Sequence, residues 1–332
     1  MKKRLKKIIY LSTIMILSLV SLMGCTTNNQ GGNSENNKVR IAIQPYPLYA
    51  PIYVAKELGT LETALKEINK EVQWTSLKSG PLVNESFASG QQDIGVVGDV
   101  PAIIVKSSGQ NNIIISNAAY GEKALAVLVK SGSKIKNLSQ LKGKKIAYVK
   151  GSYAHHLLYV VLKNAGLTLD DIQSVNLAAG DIPSAIENGE VDAGVLWEPF
   201  ITQLLNQNRV EVLVDGTDIK RGNLVVVANK DYALNNSKAI QIFLKVYNDA
   251  ANYIVENPKE AAELVSDDFG LSADELVEVF KNFNYSPKIS NDDISELKIV
   301  EEFLRKEKLT ASKVDIDEFI DTSYLKDSGL LD

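Results

Sequence analysis

The segment Gly151-Ser152-Tyr153-Ala154-His155-His156 follows a short apolar run and opens a helical pattern. A Gly-Ser turn at a helix start leaves backbone N–H groups and one hydroxyl facing outward, which is what an oxyanion needs. Gly151, Ser152 and Tyr153 are therefore candidates for anion binding. Adjacent helical residues point about 100° apart, so His155 and His156 do not chelate one ion. His155 alone is a candidate to line a cleft.

Three more loops hold the same strand-to-helix position. Gln44-Pro45-Tyr46-Pro47-Leu48-Tyr49-Ala50-Pro51 is stiffened by three prolines, and its candidates are Gln44, Tyr46, Leu48 and Tyr49. A rigid turn with core tyrosines is the plainer alternative. In Gly98-Asp99-Val100-Pro101, Pro101 suits a first helical turn and Asp99 suits a cap. The amides of Gly98 and Val100 would form a second anion seat, which Asp99 opposes unless its carboxylate is turned away. In Leu196-Trp197-Glu198-Pro199-Phe200, Trp197 can cover a carbon chain with Glu198 beside it, or the pair is a core ring and a capping carboxylate. Arg221 and Asn223 are further candidates, although an Arg in such a place is more often a solvated surface charge.

No catalytic set accompanies these loops. GxSxG, the Walker loop, GxGxxG after the first strand and HExxH are all missing. The chain has one Cys and two His in 332 residues. An internal disulfide is impossible, Cys-based zinc sites are excluded, and no metal or other cofactor is expected. A formal charge of −5 with a pI near 5.4 makes nucleic acid a poor partner. A composition of 45% hydrophobic and 23% charged residues belongs to a folded chain with a full core. The reading is of a binding protein, not an enzyme.

The single cysteine sits where an anchor would be made. MKKRLKK and an apolar run from Ile8 to Met23 have the order of a secretory signal, too short for a stable membrane span. Leu22-Met23-Gly24-Cys25 resembles the lipobox of bacterial lipoproteins, with Met23 less usual than a small residue, so residues 1–24 are expected to be cleaved and Cys25 lipidated. Residues 25–38 then form a polar tether with a reach of roughly 20 Å. Cleavage removes five of the 36 basic residues and none of the 41 acidic ones, moving the net charge to about −10. Anionic lipid would repel such a body, so membrane attachment rests on the acyl chain. The expected location is the extracytoplasmic face of the cell membrane.

The elements that must position the four loops follow from periodicity. Strand-like runs fall at 39–44, 72–77, 94–97, 113–117 and 124–129, and a second set at 145–149, 174–177, 193–196, 210–214 and 224–228. Helical patterns follow most of them, which argues for α/β architecture with mainly parallel sheets. Two sets imply two sheets and two lobes: 39–129 plus 229–332, and 130–228. From 237 onward the pattern is helical at 237–256, 258–268, 272–283 and 291–307, with no strand between. Ser272 and Glu275 form a capping box, Leu271 and Leu276 a hydrophobic staple, and Gly270 ends the helix before them.

At these loops, and over roughly residues 39 to 324, the chain resembles the extracytoplasmic substrate-binding proteins of ABC importers for sulfonates, taurine and nitrate. The matching stretches are VRIAIQPYPLYAPIYVAKELG, GPLVNESFASGQQDIGVVGDVPAI, LKGKKIAYVKGSYAHHLLYVVLKNAGL, GEVDAGVLWEPF, VDGTD and KVDIDEFI. Lys150, Gly151, Ser152, Ala154 and His155 resemble the aliphatic-sulfonate branch, which often has Asn where this chain has His156. The resemblance implies a two-lobed periplasmic-binding-protein-like fold of type II, with two sheets flanked by helices and two crossing hinge strands. It also implies a monomer that takes a small organic anion, an alkanesulfonate, and delivers it to an ABC permease with its ATPase. Taurine, nitrate or bicarbonate, and a vitamin-precursor heterocycle are alternatives. So are a sensor lipoprotein and an enzyme on the same scaffold, the latter opposed by the signal segment and the missing Cys cluster.

Overall fold

The computed structural model describes residues 37–331. The signal-like run, Cys25 and the tether as far as Asn36 lie outside the described residues. From Val39 on the chain forms one compact unit. Its strands are β1 (Lys38–Ile43), β2 (Glu71–Ser76), β3 (Ile94–Gly98), β4 (Asn112–Tyr120), β5 (Leu125–Lys130), β6 (Lys145–Tyr148), β7 (Gln173–Asn176), β8 (Ala193–Trp197), β9 (Val210–Asp215), β10 (Leu224–Asn229) and β11 (Asn284–Tyr285). They form a six-stranded sheet in the order β11-β4-β10-β3-β1-β2 and a five-stranded sheet in the order β7-β6-β8-β5-β9.

Burial patterns along the strands separate inner strands from edge strands. IGVVG of β3 and AGVLW of β8 are buried along their length, as strands covered on both faces must be. EVQWTS of β2 and QSVN of β7 show the half-exposed pattern of sheet edges.

Three expectations are corrected. The sheets are mixed rather than mainly parallel. β1–β3, β6–β7 and β6–β8 are parallel, whereas β10 runs against β3 and β4, β11 against β4, and β5 against β8 and β9. Hydrophobic periodicity carries no information on strand direction. Second, β5 belongs with the second sheet and β10 with the first. The chain therefore changes sheet at 121–124 and 216–223, and the changes expected near 130 and 228 fall at the far ends of these strands. Third, β11 interrupts the C-terminal helices to pair with Tyr120 and Ala119, being too short to show a period.

The two crossings lie side by side. The Gly121 N–H donates to the Arg221 carbonyl at 3.1 Å and the Gly216 N–H to the Glu122 carbonyl at 3.0 Å. Gly222 has φ +70°, and a Cβ there would stand 2.9 Å from the Gly121 oxygen, so no side chain fits. The C-terminal capping box is present: Ser272 accepts from the Glu275 N–H, while the Glu275 carboxylate accepts from the Ser272 N–H. Leu271 and Leu276 are buried beside it, and Gly270 ends the preceding helix in the left-handed region.

Candidate functional site

Eight of the predicted site residues meet in one cavity. Gln44, Tyr46, Leu48, Tyr49, Gly98, Ser152, Tyr153 and Trp197 line it, together with Gly80 and Pro101. Its free volume is about 20 Å³, room for little more than one water molecule. Its walls come from the C-terminal ends of β1 and β3 in the first sheet, and from β8 and the turn after β6 in the second. Strand ends of open α/β sheets are where ligands bind.

Three helices start at this cavity. Gly80 is the first residue of the helix Gly80–Ala88, Gly98 is the N-cap of Asp99–Ser107, and Ser152 is the N-cap of Tyr153–Asn164. A Cβ on Gly80 would stand 2.5 Å from Pro101 Cγ, so glycine is what lets the first two helix starts touch. Sequence reading missed Gly80. The signal was there, because Ser79-Gly80-Pro81 occupies the same strand-to-helix position as the other loops.

Aromatic rings fill much of the remaining wall. Trp197 stands edge-on to Tyr46 at 5.8 Å and tilted to Tyr153 at 5.5 Å. The Tyr46 hydroxyl donates to the Lys78 carbonyl at 2.6 Å, and the Tyr49 hydroxyl accepts from Gln44 Nε2. Burial pushes the Tyr46 hydroxyl up to about 12 and that of Tyr49 well above its usual range, so both stay neutral. No charged side chain lines the cavity.

The other predicted residues sit behind it. Asp99 is fully buried and turned away, its Oδ1 accepting from the Val100 N–H at 2.7 Å and its Oδ2 from Lys220 Nζ at 2.7 Å. This takes up the Val100 amide that the sequence offered as an anion donor. Lys220 also reaches Glu296 at 3.1 Å. Burial disfavours the Lys220 charge, but the Asp99 and Glu296 carboxylates more than offset it, and its pKa lies above the ordinary lysine value. The Gly151 N–H points at His155 Nδ1, 3.4 Å away. The Ser152 hydroxyl donates to the Val149 carbonyl at 2.7 Å, so donors for an anion here come first from the Tyr153 and Ala154 amides of the opening turn.

His155 packs between Tyr148 (4.7 Å, stacked) and Phe303 (5.4 Å), and burial pushes it down to about 4. Glu198 accepts from the Thr202 N–H and hydroxyl, each at 3.0 Å, and burial pushes it up to about 7. Asn223 is buried near the second crossing, with Nδ2 3.5 Å from the Asp293 carbonyl. Arg221 is not a free surface charge: it pairs with Asp293 at 2.9 Å and lies 3.7 Å over the Tyr120 ring.

Among the described residues no group of His, Cys, Asp and Glu could hold a metal ion, and no helix is long and apolar enough to cross a membrane.

Comparison with known proteins matches residues 47–261 to the family described as NMT1/THI5 like. A putative aliphatic sulfonates-binding protein of Bacillus subtilis is 32% identical over 317 residues, covering 94% of this chain and 95% of that protein. A protein of the same description from Escherichia coli is 31% identical over 260 residues, covering 78% and 80%. The crystal structure of the periplasmic aliphatic sulphonate binding protein SsuA from Escherichia coli superposes with a TM-score of 0.76 at 28% identity, covering 86% of this chain and 92% of that one.

Proposed function

The chain belongs to the NMT1/THI5-like family, and from that premise we propose that it is the extracytoplasmic solute-binding component of an ABC importer, with an aliphatic sulfonate as its ligand. The observation that carries this reading is the convergence of three helix N-termini on one uncharged, aromatic cavity. The N-termini at Gly80 and Ser152 each contribute about 0.3–1 kcal/mol to an anion, and up to about 2 when partly buried. At Asp99 the first two amides are instead taken by the Asn223 carbonyl and the Asp99 carboxylate. A sulfonate is ionised at any working pH. It therefore needs donors that need not carry charge, and its carbon chain needs the apolar cover that Tyr46, Tyr49 and Trp197 supply. The relatives named for aliphatic sulfonates support the same ligand class.

Binding is tested by thermal unfolding of the purified full chain in a non-ionic detergent. An alkanesulfonate at 100 times its dissociation constant is expected to stabilise the protein by about 2.7 kcal/mol, with affinity unchanged across pH 7–8. Absence of a shift with methane-, ethane- and butanesulfonate sinks the reading.

Taurine is expected to bind at least tenfold more weakly than ethanesulfonate. Its ammonium needs a carboxylate, and both nearby candidates are committed elsewhere, Asp99 to Lys220 and Glu198 to Thr202. Equal affinities by calorimetry would contradict that argument.

Loading requires the two sheets to part, since the cavity as it stands admits little more than water. The surface then presented would be that of the closed form, docking on a permease with its ATPase. Attachment would be through a lipid on Cys25. Cys25→Ser is expected to move the protein from the membrane to the soluble fraction, and its retention in the membrane would refute the anchor.

A further inference from the structure

We propose that Tyr153 determines ligand specificity in this cavity, its hydroxyl donating to a ligand oxygen and its ring limiting the length of the carbon chain. The inference rests on the sulfonate reading above.

Three tyrosines line the cavity, and their hydroxyls differ. Those of Tyr46 and Tyr49 are engaged by the Lys78 carbonyl and Gln44. The Tyr153 hydroxyl is buried and has no hydrogen-bond partner. A hydroxyl withdrawn from water without a partner is costly, and other hydroxyls of this site avoid that cost. Burial holds the Tyr153 phenol far above its usual pKa, so at neutral pH it is a donor and never a repelling phenolate.

The placement of the ring supplies the second half. Tyr153 opens a helix of the second sheet, yet its Cβ lies 3.4 Å from where a Cβ on Gly98, at the end of β3 in the first sheet, would stand. On its other side it meets Trp197 at 5.5 Å. The ring thus spans from one sheet's strand end to the other's and takes up volume that a longer ligand chain would need. Gly98 has no side chain of its own to fill that volume, so a smaller residue at 153 would extend the cavity toward it. The sequence marked this loop for its Gly-Ser turn and backbone donors, but the use of the tyrosine follows only from what its neighbours leave unpaired.

The experiment is calorimetric titration of the full chain in non-ionic detergent with methane-, ethane- and butanesulfonate. Tyr153→Phe keeps the ring and removes the donor. It is expected to weaken methanesulfonate roughly ten- to hundredfold, the effect of losing one hydrogen bond to a charged group, with the ligand-free unfolding temperature unchanged or raised. Tyr153→Ser removes the ring, and the ratio of butane- to methanesulfonate affinity is expected to rise at least tenfold. Wild-type affinity retained in Tyr153→Phe overturns the hydroxyl's role. An unchanged chain-length order in Tyr153→Ser overturns the ring's role. If the wild type binds none of the three sulfonates, the sulfonate reading itself falls, a result distinct from either.

Discussion

Lys220→Met is expected to destabilise the protein by about 3–5 kcal/mol. The ammonium is buried between Asp99, which is fully buried, and Glu296. Removing it leaves a carboxylate in the interior with only the Val100 N–H for company. The ion pair itself need not be net stabilising, because desolvating both charges offsets most of their attraction. The cost arises from breaking it one-sidedly. Asp99→Asn combined with Lys220→Met is therefore expected to be distinctly more stable than Lys220→Met alone. The stranded Asp99 also takes up a proton more readily, so the deficit of Lys220→Met should shrink from pH 8 to pH 5. Urea unfolding at both pH values checks all three statements. A double variant no better than the single one would show that Lys220 acts through packing rather than charge. The consequence extends beyond stability. Lys220 lies in the second crossing, Asp99 begins a helix that opens at the cavity, and Glu296 lies on the C-terminal helix Asn291–Lys306. One ammonium ties the crossing to the element that presents Gly98.

Glu198→Gln is expected to act in the opposite direction. Glu198 is almost fully buried, and burial raises it from 4.5 to about 7 in the folded protein. The folded state therefore holds more protons than the unfolded state between these two values. Stability linked to this group is complete below about pH 4.5 and is lost as pH rises through about 7, by roughly 3 kcal/mol at most. The amide cannot ionise. Its oxygen can keep the Thr202 N–H, and its NH2 can donate to the Thr202 hydroxyl, which accepts as well as donates. The variant should match the wild type near pH 4.5 and exceed it by an increasing margin up to pH 8. Thermal unfolding of both proteins from pH 4.5 to 8 measures that margin, and parallel curves would refute the argument. His155 works against Glu198 in the wild type. Burial depresses its pKa to about 4, so its contribution is present above about 6.5 and is lost as pH falls toward 4. The two windows overlap between about pH 4.5 and 6.5, where the opposing slopes largely cancel, so these two groups together are expected to leave wild-type stability nearly flat there.

The residues of the cavity were legible before the fold was. Prolines and glycines between a strand-like run and a helical run mark turns at strand ends, whatever the strand order. Such ends gather on one side of an α/β sheet. Gln44, Tyr46, Gly98, Ser152 and Trp197 could therefore be chosen from local pattern alone. The capping box at Ser272 was legible for the same reason, since its partners are three residues apart.

What local pattern cannot report is direction and distance along the chain. β5 and β10 read as ordinary buried strands, and nothing in their residues says that each enters the middle of the other sheet against its neighbours. That pairing follows from two short crossings held glycine against backbone. The same limit governs the charges. Asp99 and Glu198 look like ligand carboxylates when read beside their own loops. Asp99 is turned from the cavity by Lys220, 121 residues away, and Glu198 by the helix turn that follows it. Sequence alone determined which loops stand at strand ends and helix starts, because turn chemistry and helix N-termini are local. Tertiary structure decided which donors remain free, because every buried polar group takes the partner that packing brings within reach.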